Sequence, residues 1–205
     1  MDNFLRYRSA MLYKRSRGER LIEAYSPKLG RRLQCFGQHA FEQWLRLESD
    51  PVVQTFCERP AMIDFAGKYR VADYWVRQAD AEMFLIVGEE HASSSVMVGD
   101  TSVVVRAIPL AELAAARMWI SNWELMIANI VSCQRLITEP LIRSVLRCVT
   151  EPMQLSRIER ELVVGDPTLV RATVYHLLHQ GRLTAPQLML EPLSFLTPFA
   201  PVNFS

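Results

Sequence analysis

Residues 62–90, MIDFAGKYRVADYWVRQADAEMFLIVGEE, read as three consecutive short strands separated by two tight reversals. Residues 62–65 are strand-like, Ala66-Gly67-Lys68 turns, residues 69–76 form the second strand, and Gln78-Ala79-Asp80 turns again. Residues 83–87 are apolar throughout, which predicts a third strand buried on both faces. The middle strand carries an acid, Asp73, between Tyr69, Val71 and Trp75. Aspartate is depleted in strands because its short side chain competes for backbone hydrogen bonds, so this acid calls for a reason.

Upstream, HAFEQWLRL (39–47) places Phe41, Trp44 and Leu45 on one side at helical spacing and predicts a helix. It stops at Glu48-Ser49-Asp50-Pro51, because proline cannot continue the hydrogen-bond ladder and pushes its predecessor out of the α region. Val52, Val53 and Phe56 carry an extended or short helical segment to Arg59-Pro60. Downstream, HASSSVMVGD (91–100) reads as weakly structured, and the β-branched TSVVVRAI (101–108) as a fourth strand ending at Pro109.

Residues 110–137 predict one long amphipathic helix, with Trp119, Trp123, Met126, Ile127 and Ile130 at spacings of three and four; the domain boundary is expected on it. Residues 141–149 and 155–162 predict two further helices. A third begins after Asp166, the expected N-cap, with Pro167 at its first position, and stops at Gly181. Two short helices, a tight turn, a third helix and a Pro-spaced apolar tail form the pattern of a winged helix-turn-helix. His176 and His179 on that helix are spaced three apart but lack partnering cysteine or acid, so they read as packing residues.

The 205 residues suffice for one large or two small domains, and half of them are hydrophobic. A formal net charge of +1 argues against a polyanion-coating protein as a whole, but residues 1–34 are basic and interleave Tyr7, Tyr13 and Tyr25. Arg15, Arg17, Arg20, Arg31 and Arg32 there, with Arg171 on the last helix, are the candidate contacts to a DNA backbone. A solvated flexible arm, or a segment wrapped on its own domain, is the equal alternative for these residues. The four dispersed cysteines show no C-x-x-C spacing and read as reduced thiols of a cytoplasmic protein. No apolar run approaches the roughly 20 residues of a bilayer span, so no membrane partner is expected.

Carboxylates on neighbouring strands, about 4.8 Å apart, can share one divalent cation. Asp73 and Glu89 are the expected metal ligands; Mg²⁺ or Mn²⁺ favours such oxygen donors, and Glu42 on the preceding helix can complete the shell. Such a centre activates water against a phosphodiester.

LESDPVVQTFCERPAMI (47–63), a glycine turn and YRVADYWV (69–76) resemble the N-terminal domain of TnsA-type endonucleases, the strand-cutting subunits of heteromeric transposases. The resemblance spans roughly residues 38–108. It implies a restriction-endonuclease-like α/β fold, a mixed sheet with flanking helices, followed by a winged-helix domain. Residues 1–34 would be the basic arm, 35–109 the nuclease-like domain, 110–140 the connecting helix and 141–205 the winged helix. It also implies DNA and the transposase or transposition ATPase as partners.

Carried over by residue, Asp73 matches the metal-binding aspartate, with Ala72 where proline is common, and Glu42 matches the helix glutamate. The family's third motif, E-x-K, meets Ile86-Val87-Gly88; Glu89 and His91 stand a few residues on. Two readings follow. Either Glu42, Asp73, Glu89 and His91 form a working Mg²⁺ nuclease, or the fold persists without catalysis as a DNA-binding or scaffolding subunit. A transcriptional regulator or protein-interaction module is the reading outside this family.

Overall fold

The computed structural model describes residues 7–11, 18, 20–79, 81–90, 93–162 and 166–202. The chain is a mixed α/β protein of two units, residues 1–48 with 52–115, and residues 49–51 with 116–205.

The first unit opens with a hairpin where the basic arm was expected. β1 (Leu21–Ser26) pairs antiparallel with β2 (Arg31–Phe36), so the arm gives way to regular structure well before residue 34. The alternation in RRLQCF buries Leu33 and Cys35 and exposes Arg32 and Gln34, as a strand with one covered face requires. α1 (Gln38–Ser49) follows and buries Phe41, Trp44, Leu45 and Leu47.

β3 (Val53–Glu58) is extended, and β4 (Met62–Phe65) and β5 (Lys68–Val71) then form a hairpin. Ala66 and Gly67 at its turn have φ of 53° and 73°, the paired left-handed geometry that suits the twist of a two-residue hairpin. The strand expected over residues 69–76 is therefore two. The chain bends at Ala72 and Asp73, and β6 (Tyr74–Gln78) starts afresh in a different sheet. β7 (Ala81–Val87) buries Phe84, Leu85 and Ile86 on consecutive positions, as its unbroken apolarity predicts. The serine-rich stretch forms a strand, β8 (Ser94–Val98), followed by β9 (Thr101–Ile108) and the short α2 (Leu110–Ala115).

Five of these strands make one mixed sheet in the order β3-β6-β7-β9-β8. β7 and β9 run parallel and every other neighbouring pair is antiparallel. Successive residues of β6 serve opposite faces. The Tyr74 hydroxyl donates to the Ala40 carbonyl of α1 at 2.8 Å, whereas Trp75 enters a core with Phe84, Val103 and Val105 that Ile63 and Phe65 of the β4–β5 hairpin cover. Tyr7 joins that second face, its ring 5.6 Å from Trp75 and 5.8 Å from Phe84.

The second unit is mainly helical. The single helix expected from residue 110 breaks at Ala116 (φ −90°, ψ 8°), leaving α2 in the first unit and α3 (Arg117–Cys133) in the second. α4 (Glu139–Cys148), β10 (Met153–Gln154), α5 (Leu155–Glu161) and α6 (Pro167–His179) follow. Asp166 caps α6 by accepting from the Thr168 amide at 2.8 Å. β11 (Leu183–Thr184) and β12 (Pro198–Pro201) complete a small antiparallel sheet with β12 in the middle. α6 is the central helix, packed by α3, α4 and α5, with residues 172–175 and 177–179 all buried. No described helix is long and apolar enough to cross a membrane.

Candidate functional site

The bend at Ala72-Asp73 exists because Asp73 links two strands that belong to different sheets. Its carbonyl accepts from the Arg59 amide at 2.9 Å, and its amide donates to the Leu85 carbonyl at 3.0 Å. The carboxylate Oδ2 accepts from the Val87 amide at 2.8 Å, so this acid satisfies the backbone at the end of β7. That is the local work an aspartate does well: it bonds to backbone where a ladder is interrupted.

Glu89 follows Gly88, whose φ of 83° turns the chain out of β7. Its carboxylate is held by Arg70 of β5 through Nη1, while Nη2 of the same guanidinium lies 3.9 Å from Asp73 Oδ2. The structure thus brings together the two acids predicted as metal ligands, with an arginine between them. All three side chains are about one third exposed, at 34% for Arg70, 28% for Asp73 and 32% for Glu89. The guanidinium already supplies the positive charge that two nearby carboxylates demand. A divalent cation coordinated by both would have to displace it. Sequence reasoning passed over Arg70, although its i,i+3 spacing from Asp73 was visible.

Glu42 sits half-buried on α1, where it accepts from Gln38 Nε2 at 3.2 Å. Among the described residues no group of three or more His, Cys, Asp or Glu side chains able to hold a metal ion is found. His91, Arg15 and Arg17 lie outside the described residues.

No protein-family model and no curated protein matches this chain. The assignment of its site therefore rests on its own residues.

Glu48, in the L-E-x-D-P stretch, is completely buried. Its carboxylate accepts from Ser26 Oγ at 2.5 Å and from the Lys28 amide at 2.7 Å, while Lys28 Nζ donates to the Leu47 carbonyl at 3.0 Å. The acid organises the β1–β2 turn. Glu58 is likewise buried and takes a two-pronged bond from Arg31, at 2.7 Å and 2.6 Å. That bond raises the Arg31 pKa above its ordinary value and commits Arg31 to the fold, so of the predicted DNA contacts on the hairpin only Arg20 and Arg32 are exposed.

Arg171, the candidate DNA contact on α6, is partly exposed and engaged within its own unit. Its Nε donates to Glu159 at 2.7 Å and its guanidinium lies 4.8 Å from the Phe195 ring. His179 is buried with its ring 6.0 Å from Trp123, and His176 is half-buried against Gln180. Asn122 of α3, also missed, is buried and donates to the Leu188 and Glu191 carbonyls, both at 2.8 Å, while accepting from the Leu193 amide at 2.7 Å. It clamps the loop between β11 and β12.

Tyr74 beside Asp73 keeps its proton far above the ordinary phenol range because it is buried, and Cys35 against it is pushed up to about 12 by the same burial. Neither is poised as a nucleophile.

Proposed function

We propose that the chain is a non-cutting relative of the TnsA-type endonuclease subunit, serving a transposition assembly through protein and DNA-end contacts rather than phosphodiester hydrolysis. The observation that carries this reading is Arg70 between Asp73 and Glu89, where a metal nuclease needs those carboxylates free for a cation. A helix, an antiparallel meander with an acid before its second sheet strand, and a parallel strand β9 beside β7 support the nuclease-like plan. The order α4-β10-α5-α6-β11-β12, with β12 central in the sheet, supports a winged helix in the second unit.

The covering of α6 favours protein contact for that unit. A recognition helix that reads bases must present side chains to the major groove. Here α3 packs on α6, Arg171 is bound to Glu159, and only Pro167 and Thr168 of its first turn are exposed.

The test is incubation of the purified full chain with supercoiled DNA and Mg²⁺ or Mn²⁺. The expected result is no nicking, with Asp73→Ala and Glu42→Ala indistinguishable from the parent. Metal-dependent nicking that disappears in Asp73→Ala would overturn the non-cutting assignment.

A further inference from the structure

β1 and β2 form a two-stranded sheet of their own, and the alternation of side chains gives it two unlike faces. On one, Ser26, Leu33 and Cys35 are buried and Ile22, Ala24 and Arg31 half-buried. The other is open. Its rungs set Tyr25 opposite Arg32, Glu23 opposite Gln34 and Leu21 opposite Phe36. Leu21, Glu23, Arg32 and Gln34 are exposed there and the two rings half-buried. The water-facing side of an antiparallel pair normally carries polar residues, so two aromatic rings on it point to a partner.

Positive charge gathers around these rings. Arg32 stands across from Tyr25, and the Arg59 guanidinium lies 4.2 Å from the centroid of Phe36. Arg59 has φ of 45°, a left-handed conformation that a residue other than glycine adopts at a cost. Bonds of 2.9 Å from its amide to the Asp73 carbonyl and from the Met11 amide to its carbonyl hold it there. Arg31 is neutralised by Glu58, whereas Arg20 and Arg32 are exposed and make no ion pair among the described residues. Glu23, the acid on the open face, is held by Gln34 Nε2 at 2.9 Å. In the sequence, Lys14, Arg15 and Arg17 lead into β1.

We propose that this face binds single-stranded DNA, with one base stacked on Tyr25, another against the Phe36–Arg59 pair, and phosphates beside Arg20 and Arg32. Rings serve bases only where those bases are unpaired and unstacked; a duplex or an acidic peptide would use the arginines and leave the rings idle. Gln34 and Glu23 are bonded to each other, so the face recognises a strand by stacking and charge. That favours DNA of any sequence over an RNA read through its 2′-hydroxyls. The inference does not rest on the non-cutting reading, since it uses neither Asp73 nor Glu89, and its failure would leave the nicking result untouched.

The test is fluorescence anisotropy of the purified full chain with a labelled oligothymidylate of about 15 nucleotides, its RNA counterpart and a duplex of the same length. The single DNA strand should bind most tightly. Tyr25→Leu keeps an apolar side chain at a half-buried position, and an unchanged thermal midpoint verifies its fold. It should weaken binding at least about fivefold, whereas Tyr25→Trp should retain it. Arg32→Ala should flatten the dependence of log affinity on log salt by about 0.7, a slope that Tyr25→Leu should leave unchanged. A duplex or RNA bound as tightly as the single DNA strand, full affinity in Tyr25→Leu, or no binding at low salt would overturn the proposal.

Discussion

Asp73 Oδ2 accepts a hydrogen bond from the backbone amide of Val87 at 2.8 Å, so the acid that first suggests metal chemistry also closes the end of β7. Asp73→Ala leaves that half-buried amide without its acceptor and should destabilise the protein by about 1–2 kcal/mol. Asp73→Asn retains a carbonyl oxygen in the same place and should cost less. Urea denaturation of both variants measures the difference, and equal losses would mean that charge, not the hydrogen bond, matters.

Removing Arg70 tests its role as resident cation. Arg70→Ala leaves Asp73 and Glu89 facing one another, a loss of about 1 kcal/mol for a partly exposed ion-pair set. The variant should regain stability on addition of Mg²⁺ or Mn²⁺, seen as a rise in thermal midpoint that the parent lacks. A parent protein that shows the same rise would place a cation-binding site elsewhere or beside Arg70.

Arg31 and Arg32 are adjacent in sequence and opposite in consequence. Arg31→Ala strands the buried Glu58 carboxylate and should cost about 3 kcal/mol, whereas exposed Arg32→Ala should change stability by less than about 0.5 kcal/mol. Thermal denaturation separates them. Any loss of DNA retention in Arg31→Ala has to be corrected for that unfolding before it is read as a lost contact.

His176 predicts a pH dependence. Gln180 Nε2 lies 2.8 Å from His176 Nε2. Burial, with His179 and Arg182 nearby, lowers its pKa below 6.5. The unfolded chain then takes up the proton first as pH falls, so stability is full above pH 6.5 and is lost as pH drops through the lowered folded value. Denaturation midpoints measured from about pH 7 to pH 5 should fall in the parent, and His176→Gln should flatten that slope.

The thiols should divide into two classes. Cys35 and Cys57 are buried and each pushed up to about 12, chiefly by that burial, whereas Cys133 and Cys148 are half-exposed. A thiol-labelling reagent should react with Cys133, more slowly with Cys148, whose pKa burial also raises, and with the other two only on unfolding.

What could be read from the sequence followed from patterns with a physical period. The apolar run of β7, the β-branched run of β9, α1 and the capped α6 all announce themselves, because core burial dictates their side chains one by one. Asp73 misled in position: it reads as an acid within one long strand, but the strand ends at Val71 and begins again at Tyr74. Local pattern does not record that change of sheet. β8 was hidden because its residues are exposed or half-buried and tolerate serine, and the β1–β2 hairpin because its exposed Arg32 and Gln34 masked the alternation of Leu33 and Cys35. The long helix from residue 110 broke at Ala116 with no proline or glycine to mark it. At the site, the meeting of Asp73 and Glu89 was legible, but the pairing of both with Arg70 is a tertiary fact.

The Asn122 clamp has a consequence for where the second unit can be cut. Three hydrogen bonds from one side chain of α3 shape the loop that joins β11 to β12, and α3 also covers the face of α6. A fragment starting at α4 would keep α4, α5, α6 and the small sheet, yet lose the part that holds its loop and packs on its central helix. A fragment meant to keep that loop and that covering should therefore begin no later than α3.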